Sequence, residues 1–287
     1  MLTVGVITDF HFGPDARFGG KLRKLSRLGP ALLQGFVQRM NDEVRPDLVL
    51  NLGDDIEDEA PELDRARYAE AMRILGGSRA PVLHVAGNHD VALLEPAELR
   101  SMWGLAPDGP LYRAETVRGV EIILLYTHET KDVSVTIDDE QLAWLERRLG
   151  SGAGPAVVFM HHSAADQELS GNRWFERAPH ICLVRERKRL RAILERSGRV
   201  QAVINGHLHW NQLTVHAGIP YVTLQSPIEN LDEDAPGRPA ACFGVLRVMP
   251  QRLSFEVHGT EAPLRYQWPP PPPPVPSGAP AASASSD

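Results

Sequence analysis

The chain is poor in the features that announce an unusual solution to folding. Its 287 residues contain two cysteines, Cys182 and Cys242, far apart and outside any C-x-x-C or Cys/His spacing. That excludes a disulfide framework and a thiolate zinc ribbon, and a chain of this length can bury a core without either. Basic residues are the minority, 30 Lys and Arg against 37 Asp and Glu, for a net charge of −7. Proteins that coat nucleic acid concentrate cations to displace phosphate counterions, so that class is disfavoured and a nuclease would need a local basic groove. No apolar run reaches the roughly 18 residues of a membrane span, and Met1 leads straight into Leu2 to Ile7 without a charged leader, which reads as a cytosolic protein. A Walker A loop, a dinucleotide fingerprint and a serine nucleophile elbow are also missing.

What the chain does have is a series of short, β-branched-rich apolar runs. They are Leu2 to Thr8, Leu48 to Leu52, Val82 to Ala86, Ile122 to Tyr126, Ala156 to Met160, Val200 to Ile204 and Tyr221 to Leu224. Each has the length of a buried strand. Helical periodicity lies between several of them: Pro30 to Val44, Pro61 to Leu75, Asp138 to Leu149 with a capping-box pattern Asp138-x-x-Gln141, and Leu183 to Ser197. Strands alternating with helices predict an α/β architecture. The second half carries hairpin patterns, around 111–126, 212–224 and 241–258, so a mixed sheet is expected there. From Trp268 onward, six prolines at 269–274 and a Pro/Ala/Ser/Gly stretch replace this pattern. The expected organisation is a folded domain over 1–267 and a disordered tail over 268–287.

The chemistry sits where these runs stop. Thr8 leads to Asp9-Phe10-His11, Leu52 to Gly53-Asp54, Ala86 to Gly87-Asn88-His89-Asp90, Met160 to His161-His162, and Ile204 to Asn205-Gly206-His207-Leu208-His209. Six of the eleven histidines fall in these five segments. Ligands of α/β sheets bind outside the carboxyl ends of the strands, so groups distant in sequence can converge there. Imidazole, carboxylate and amide oxygen without thiolate suit iron, manganese, zinc or cobalt. Asp9, His11, Asp54, Asn88, His161, His207 and His209 are too many donors for one tetrahedral ion. Two ions about 3.5 to 4 Å apart sharing a carboxylate would use them all. His161 and His162 are adjacent and their side chains diverge, so one is expected to bind metal and the other to face the pocket or core.

In this order the five blocks, Asp9-x-His11, Gly53-Asp54, Gly87-Asn88-His89-Asp90, His161 and Gly206-His207-x-His209, resemble the calcineurin-like metallophosphoesterase superfamily. The resemblance implies a four-layer α/β/β/α sandwich with two mixed β-sheets. It also implies a dinuclear centre, with one ion on Asp9, His11, Asp54 and His209 and the other on Asp54, Asn88, His161 and His207. His161 is preferred over His162 on the family pattern. His89 would be the acid beside the substrate, oriented by Asp90, while a hydroxide generated on the ions attacks phosphorus.

Departures from better-known branches narrow the expectation. Asp54 is followed by Asp55-Ile56-Glu57-Asp58 where protein phosphatases have Asp-Arg-Gly, and Glu57 stands where purple acid phosphatases carry a tyrosine. The pattern is more similar to bacterial cyclic-nucleotide and glycerophosphodiester phosphodiesterases, as is Gln141-Leu142-x-Trp144-Leu145-Glu146. A small phosphodiester is therefore the expected substrate. A phosphomonoesterase, a nucleotide pyrophosphatase and an inactive scaffold are the alternatives. The acidic run 55–59 reads as a solvated loop. Two loops remain open: 12–27, with Arg17, Lys21, Arg23 and Lys24, and 163–180, with Asn172, Arg173, Trp174 and Phe175. Either could hold a second phosphate or stack a base, or simply be solvated. His128-Glu129 lacks the second histidine of a zincin.

Overall fold

A computed structural model describes residues 1–250 and 252–269. Twelve strands form two six-stranded mixed sheets. The first contains β1 (Leu2–Ile7), β2 (Leu48–Asn51) and β3 (Val82–His84) from the N-terminal half, and β10 (Phe243–Met249), β11 (Arg252–His258) and β12 (Leu264–Trp268) from the C-terminus. The second contains β4 (Arg113–Val117), β5 (Val120–Leu124), β6 (Ala156–Met160), β7 (Val200–Asn205), β8 (Gln212–His216) and β9 (Ile219–Thr223). Their spatial orders are β12-β11-β10-β1-β2-β3 and β8-β9-β7-β6-β5-β4. In each, a parallel block, β1-β2-β3 or β5-β6-β7-β9, is flanked by antiparallel hairpin strands.

The layering follows from alternation along the strands. Leu2, Val4 and Val6 of β1 face Val157 and Phe159 of β6 and Ile122 and Leu124 of β5 in one core between the sheets. The opposite faces carry separate cores. Ile7 and Val49 pack beneath α1 (Gly29–Arg39) and α2 (Pro61–Leu75), through Phe36, Val37, Tyr68 and Ile74. Val158 and Met160 pack beneath α5 (Asp139–Ser151) and α6 (Arg187–Ser197), through Leu142, Leu145, Leu190 and Ile193. This is the expected α/β/β/α sandwich. Gly5 is required by close approach, since a Cβ there would collide with Met40 Sδ in the turn that extends α1. Truncating a large side chain of the shared core, such as Phe159 to Ala, should cost about 3 to 5 kcal/mol by leaving a cavity between the two sheets whose ends form the site.

Two short helices, α3 (Asn88–Leu93) and α4 (Pro96–Met102), follow β3 and were not legible as helices in the sequence. The capping box expected at Asp138 is not made. Gln141 instead pairs with both main-chain groups of Tyr126, accepting from its N–H and donating to its C=O. The last helix begins at Arg187 rather than 183, because residues 183–184 pair with Ser163 and close the preceding loop. The expected tail, 268–287, lies outside the described residues except for its first two positions. Trp268 itself ends β12, opposite Leu253, so the strand pattern runs one residue further than composition indicated.

Candidate metal centre

The five segments that leave the strands meet at one end of the sandwich. The pairing of β1 with β2 continues past the strand ends: Asp9 N–H donates to Gly53 C=O, His11 N–H to Asp54 C=O, and Phe12 N–H to Asp55 C=O. The two loops are thereby held side by side, and Asp9, His11 and Asp54 are almost fully buried. Sheet two faces them with His161 after β6 and His207 and His209 after β7, also buried.

The donor atoms converge closely. His161 Nε2 lies 3.3 Å from Asp54 Oδ2, and His209 Nε2 lies 3.5 Å from Asp9 Oδ1. His11 Nε2 is 3.7 Å from Asp54 Oδ2 and 3.2 Å from His209 Nε2, while His207 Nδ1 is 3.2 Å from His161 Nε2. Asp9, His11 and His209 form one group able to hold a metal ion, Asp9, Asp54 and His161 a second, and His161, His162 and His207 a third. Asn88 Oδ1 is shielded from solvent without a hydrogen-bond partner among the described residues.

The donor set fits metal ions, and the imidazoles show why. Each turns one ring nitrogen inward and has the other tied outside. The outer nitrogen of His161 pairs with Leu52 C=O at 2.8 Å, that of His207 with Ile181 C=O at 3.0 Å, and that of His209 with Glu229 Oε2 at 3.0 Å. That of His11 lies 3.4 Å from Glu57 Oε1. An outer acceptor that fixes tautomer and ring orientation is the usual support of a metal-binding histidine. Burial, with Lys24 beside it, keeps His11 well below the ordinary imidazole range, and burial with the His161 ring presses His207 down to about 3, so both are available as neutral bases. Burial opposes ionisation of Asp54, yet the His161 and His89 rings hold its carboxyl well below the usual carboxylate range.

The backbone is strained here. Ten non-glycine residues among those described have positive φ, and half of them are Asp9, His11, Asp54, His207 and His209, with φ between 40° and 64°. Such conformations persist only where the surroundings enforce them, and they gather at functional sites. Of the three glycines flanking the candidate ligands, only Gly53 has a positive φ, of 92°. Gly87 and Gly206 serve a different need: a Cβ on either would collide with the Asp54 or Asp9 carboxylate.

Several expectations need correction. Asp90 does not orient His89. Its carboxylate accepts from the main-chain N–H groups of Asp54, Asp55 and Gly87, tying two ligand-bearing loops together. The His89 ring pairs with Asp58, and Glu57 lies 3.8 Å away. Against the opposing effect of burial, the Asp54 charge and the Asp58 hydrogen bond push His89 up to about 9. The acidic run is therefore solvated only in part: Asp58 and Glu59 are exposed, whereas Asp55 and Glu57 turn inward. Asp55 is buried, accepting both amide hydrogen bonds of Asn51, and burial with Asp90 alongside raises its carboxyl well above the usual range. Most cations of loop 12–27 already have carboxylate partners, Arg23 being the exception with only the Glu233 C=O at 3.4 Å. Lys24 is buried against Glu57 at 2.9 Å, while Arg17 and Lys21 pair with Asp234 and Glu233. His162 faces the pocket, as one of the pair was expected to, but does not diverge from His161, whose ring centroid is 4.8 Å away: it pairs with Thr127 through Nδ1, lies 4.3 Å from His207 between centroids at a 53° tilt, and leaves Nε2 unpartnered among the described residues.

Sequence reasoning missed Glu57, Asp58 and Glu229 as members of the site. One signal existed for the first two: Ile56, alone and apolar in an acidic run, pairs with Phe12 and is fully buried, so the run keeps strand alternation beyond β2. Glu229 had none, because it arrives from a loop that lies against Arg23 and Lys24.

Comparison with known proteins agrees with this geometry. The model of the calcineurin-like phosphoesterase family matches residues 2–211. This chain belongs to that family. Among curated relatives of this phosphoesterase, a probable cyclic nucleotide phosphodiesterase of Synechococcus is 29% identical over 163 residues, covering 56% of this chain and 58% of the relative. A cAMP/cGMP dual specificity phosphodiesterase of Mycobacterium tuberculosis is 29% identical over 75% of this chain and 64% of its own length. A glycerophosphodiester phosphodiesterase of Enterobacter lignolyticus is 27% identical over 65% of this chain and 64% of its own. The phosphoesterase chain thus spans roughly three fifths of these relatives. In fold it is similar to a dimetal phosphatase of Danio rerio, with a TM-score of 0.76 at 17% identity, covering 93% of this chain and 99% of that one. It is also similar to a purple acid phosphatase of yellow lupin, with a TM-score of 0.62 at 14% identity over 93% of this chain and 53% of that one. No helix among the described residues is long and apolar enough to cross a membrane.

Proposed function

We propose that this protein hydrolyses a small phosphodiester at a centre of two metal ions. The observation that carries the reading is the shared arrangement of His11, His161, His207 and His209, each inward nitrogen within 4 Å of another candidate ligand and each outward nitrogen beside an acceptor. Asp9, His11, Asp54 and His209 would hold one ion, and Asp54, Asn88, His161 and His207 the other. Bound ions would supply Lewis acidity toward phosphoryl oxygens and a water acidified to a pKa of about 7.

The chain's own residues do the rest. Asp54 lies within 4 Å of both His11 and His161 and so joins the two groups. His89, whose amide N–H donates to Asp54 Oδ1, is pushed up to about 9 by the Asp54 charge and the Asp58 hydrogen bond against the effect of burial, which favours a charged ring beside the site. It is placed to balance charge on the phosphoryl group and to protonate the departing oxygen, while Asp58 fixes its ring. Asp90 keeps the loops bearing Asp54 and Asn88 in register. The relatives named as acting on cyclic nucleotides and glycerophosphodiesters favour a diester.

The test is a panel of metals and esters. Purified protein equilibrated with Mn²⁺, Fe²⁺, Zn²⁺ or Co²⁺ should retain two ions per chain and turn over bis(p-nitrophenyl) phosphate faster than p-nitrophenyl phosphate. The opposite preference would make it a monoesterase, and absence of both bound metal and turnover would return the inactive scaffold.

A further inference from the structure

His207 and His209 stand in an improbable stretch of backbone. Both have left-handed φ values, 64° and 52°, with the fully buried Leu208 between them. Positive φ is uncommon for any non-glycine residue, and two instances within three positions point to support from outside β7. One support is the Asp9 carboxylate, which accepts from the His207 N–H at 2.9 Å; the other is the loop 163–184, whose ends are joined by Ser163 N–H to Cys182 C=O and Val184 N–H to Ser163 C=O. Leu169, Cys182 and Leu183 of this loop form a small core around Leu208.

Within the loop, three residues, Asn172, Trp174 and Phe175, together touch all three members of the stretch. Asn172 is buried and donates to Leu208 C=O at 2.8 Å, while its side-chain oxygen accepts from the N–H groups of Trp174 and Phe175 at 2.9 Å. Phe175 stacks on the His207 ring, 4.7 Å between centroids and 26° between planes. Trp174 meets the His209 ring edge-on at 5.6 Å, and its Nε1–H donates to Glu229 Oε2, the oxygen that pairs with His209 Nδ1. Ile181, from the same loop, supplies the carbonyl against His207 Nε2.

We propose that Asn172, Trp174 and Phe175 are positioning residues: a clamp that sets the two imidazole rings for metal, so that metal affinity depends on this loop although none of the three is a ligand. The proposal rests on the reading of His207 and His209 as ligands, and its consequence is specific. Removing the clamp loosens ring orientation on both sides of the pair while leaving every candidate ligand in the chain.

Co²⁺ titration of the metal-free full-length protein, followed by its visible d–d bands, tests this with the wild type, Trp174→Leu, Trp174→Phe, Phe175→Leu and Asn172→Ala. The distant Trp144→Leu serves as a control for general destabilisation. Wild type should bind Co²⁺ with a defined spectrum. Trp174→Leu, Phe175→Leu and Asn172→Ala should weaken binding by about 10- to 100-fold, the usual effect of losing support behind a ligand, with altered bands. Trp174→Phe keeps an aromatic ring but loses the N–H to Glu229, and should recover most of the affinity. Trp144→Leu should lower the melting temperature without moving Co²⁺ affinity. Folded Trp174→Leu and Phe175→Leu that match wild type in affinity and bands overturn the clamp while leaving the metal reading intact. A folded wild type that binds no Co²⁺ overturns both.

Discussion

The two sheets bring different chemistry to the same place. β1 and β2, with the segment after β3, deliver Asp9, His11, Asp54 and Asn88, so this side carries all the negative charge of the candidate ligand set. β6 and β7 deliver only imidazoles, His161, His207 and His209. The support behind each side differs as well. Behind the first lies a buried polar web: Asp90 on three main-chain N–H groups, Asn51 on Asp55, and Trp103 Nε1–H donating to Tyr68 at 2.8 Å. Behind the second lie ring faces and a loop core. A web of hydrogen bonds suits carboxylates, whose charge must be compensated when buried, whereas imidazoles that bind metal need chiefly their orientation fixed. Each of the two proposed ions would draw ligands from both sheets, so metal binding reports on how well the shared core holds the sheets together.

The comparison breaks most severely at Asp54, which lies within reach of imidazoles from both sides. Asp54→Ala should lose both ions and lower kcat by on the order of 10³-fold or more. Metal analysis alongside bis-ester turnover checks it, and retention of two ions would mean that this carboxylate does not join the halves.

His89 belongs to the first side yet is absent from the ligand set. His89→Asn should keep both ions while lowering kcat by about 10²- to 10⁴-fold, as loss of a positioned proton donor does. The sign of the pH effect follows from its shift upward to about 9: the ring is charged below that value and neutral above it, so activity should fall as pH rises through an alkaline limb. Metal ions offsetting the Asp54 charge would move that limb lower. A pH profile of wild type against the variant decides it, and an unchanged limb in His89→Asn would assign the limb elsewhere.

How much of this was legible in the sequence divides along the same line. The donors were readable because each follows a strand at its carboxyl end, and such ends gather by topology alone. The sandwich was readable from alternation and from the family pattern. The supports were not. Asp58, Glu229 and the ring contacts of Phe175 and Trp174 come from loops whose course depends on other loops, and no local periodicity encodes that. Asp90 was recognised as part of the site and given the wrong partner, because adjacency in sequence to His89 says nothing about where a carboxylate at the start of α3 points.

A finer comparison sets Glu57 against Glu229, one outer carboxylate for each of two facing histidines, His11 and His209. Glu229→Gln keeps an acceptor but removes charge, and should weaken metal binding by about 10-fold, within the usual range for such partners. Glu57→Gln should cost less, since Lys24 already offsets that carboxylate at 2.9 Å. Parallel Co²⁺ titrations of the two variants rank them, and the reverse order would place the more important support behind the carboxylate side.

A last comparison concerns the polar web alone and needs no metal. His84, at the end of β3, stacks on Trp103 at 5.6 Å, and burial with Arg113 nearby pushes it down to about 3 from an ordinary 6.5. Between those values the unfolded chain takes up a proton that the folded chain refuses. Stability from this residue is therefore complete above pH 6.5 and is lost as pH falls toward 3, at up to about 1.4 kcal/mol per pH unit. Urea melts of metal-free protein at pH 7 and pH 5 should show this slope, and His84→Gln should flatten it. Since the imidazoles of the second sheet also titrate in metal-free protein, the comparison must be made between wild type and variant at each pH. A variant with the wild-type slope would show that His84 carries a proton in the fold, and would remove it from the web behind Asp55.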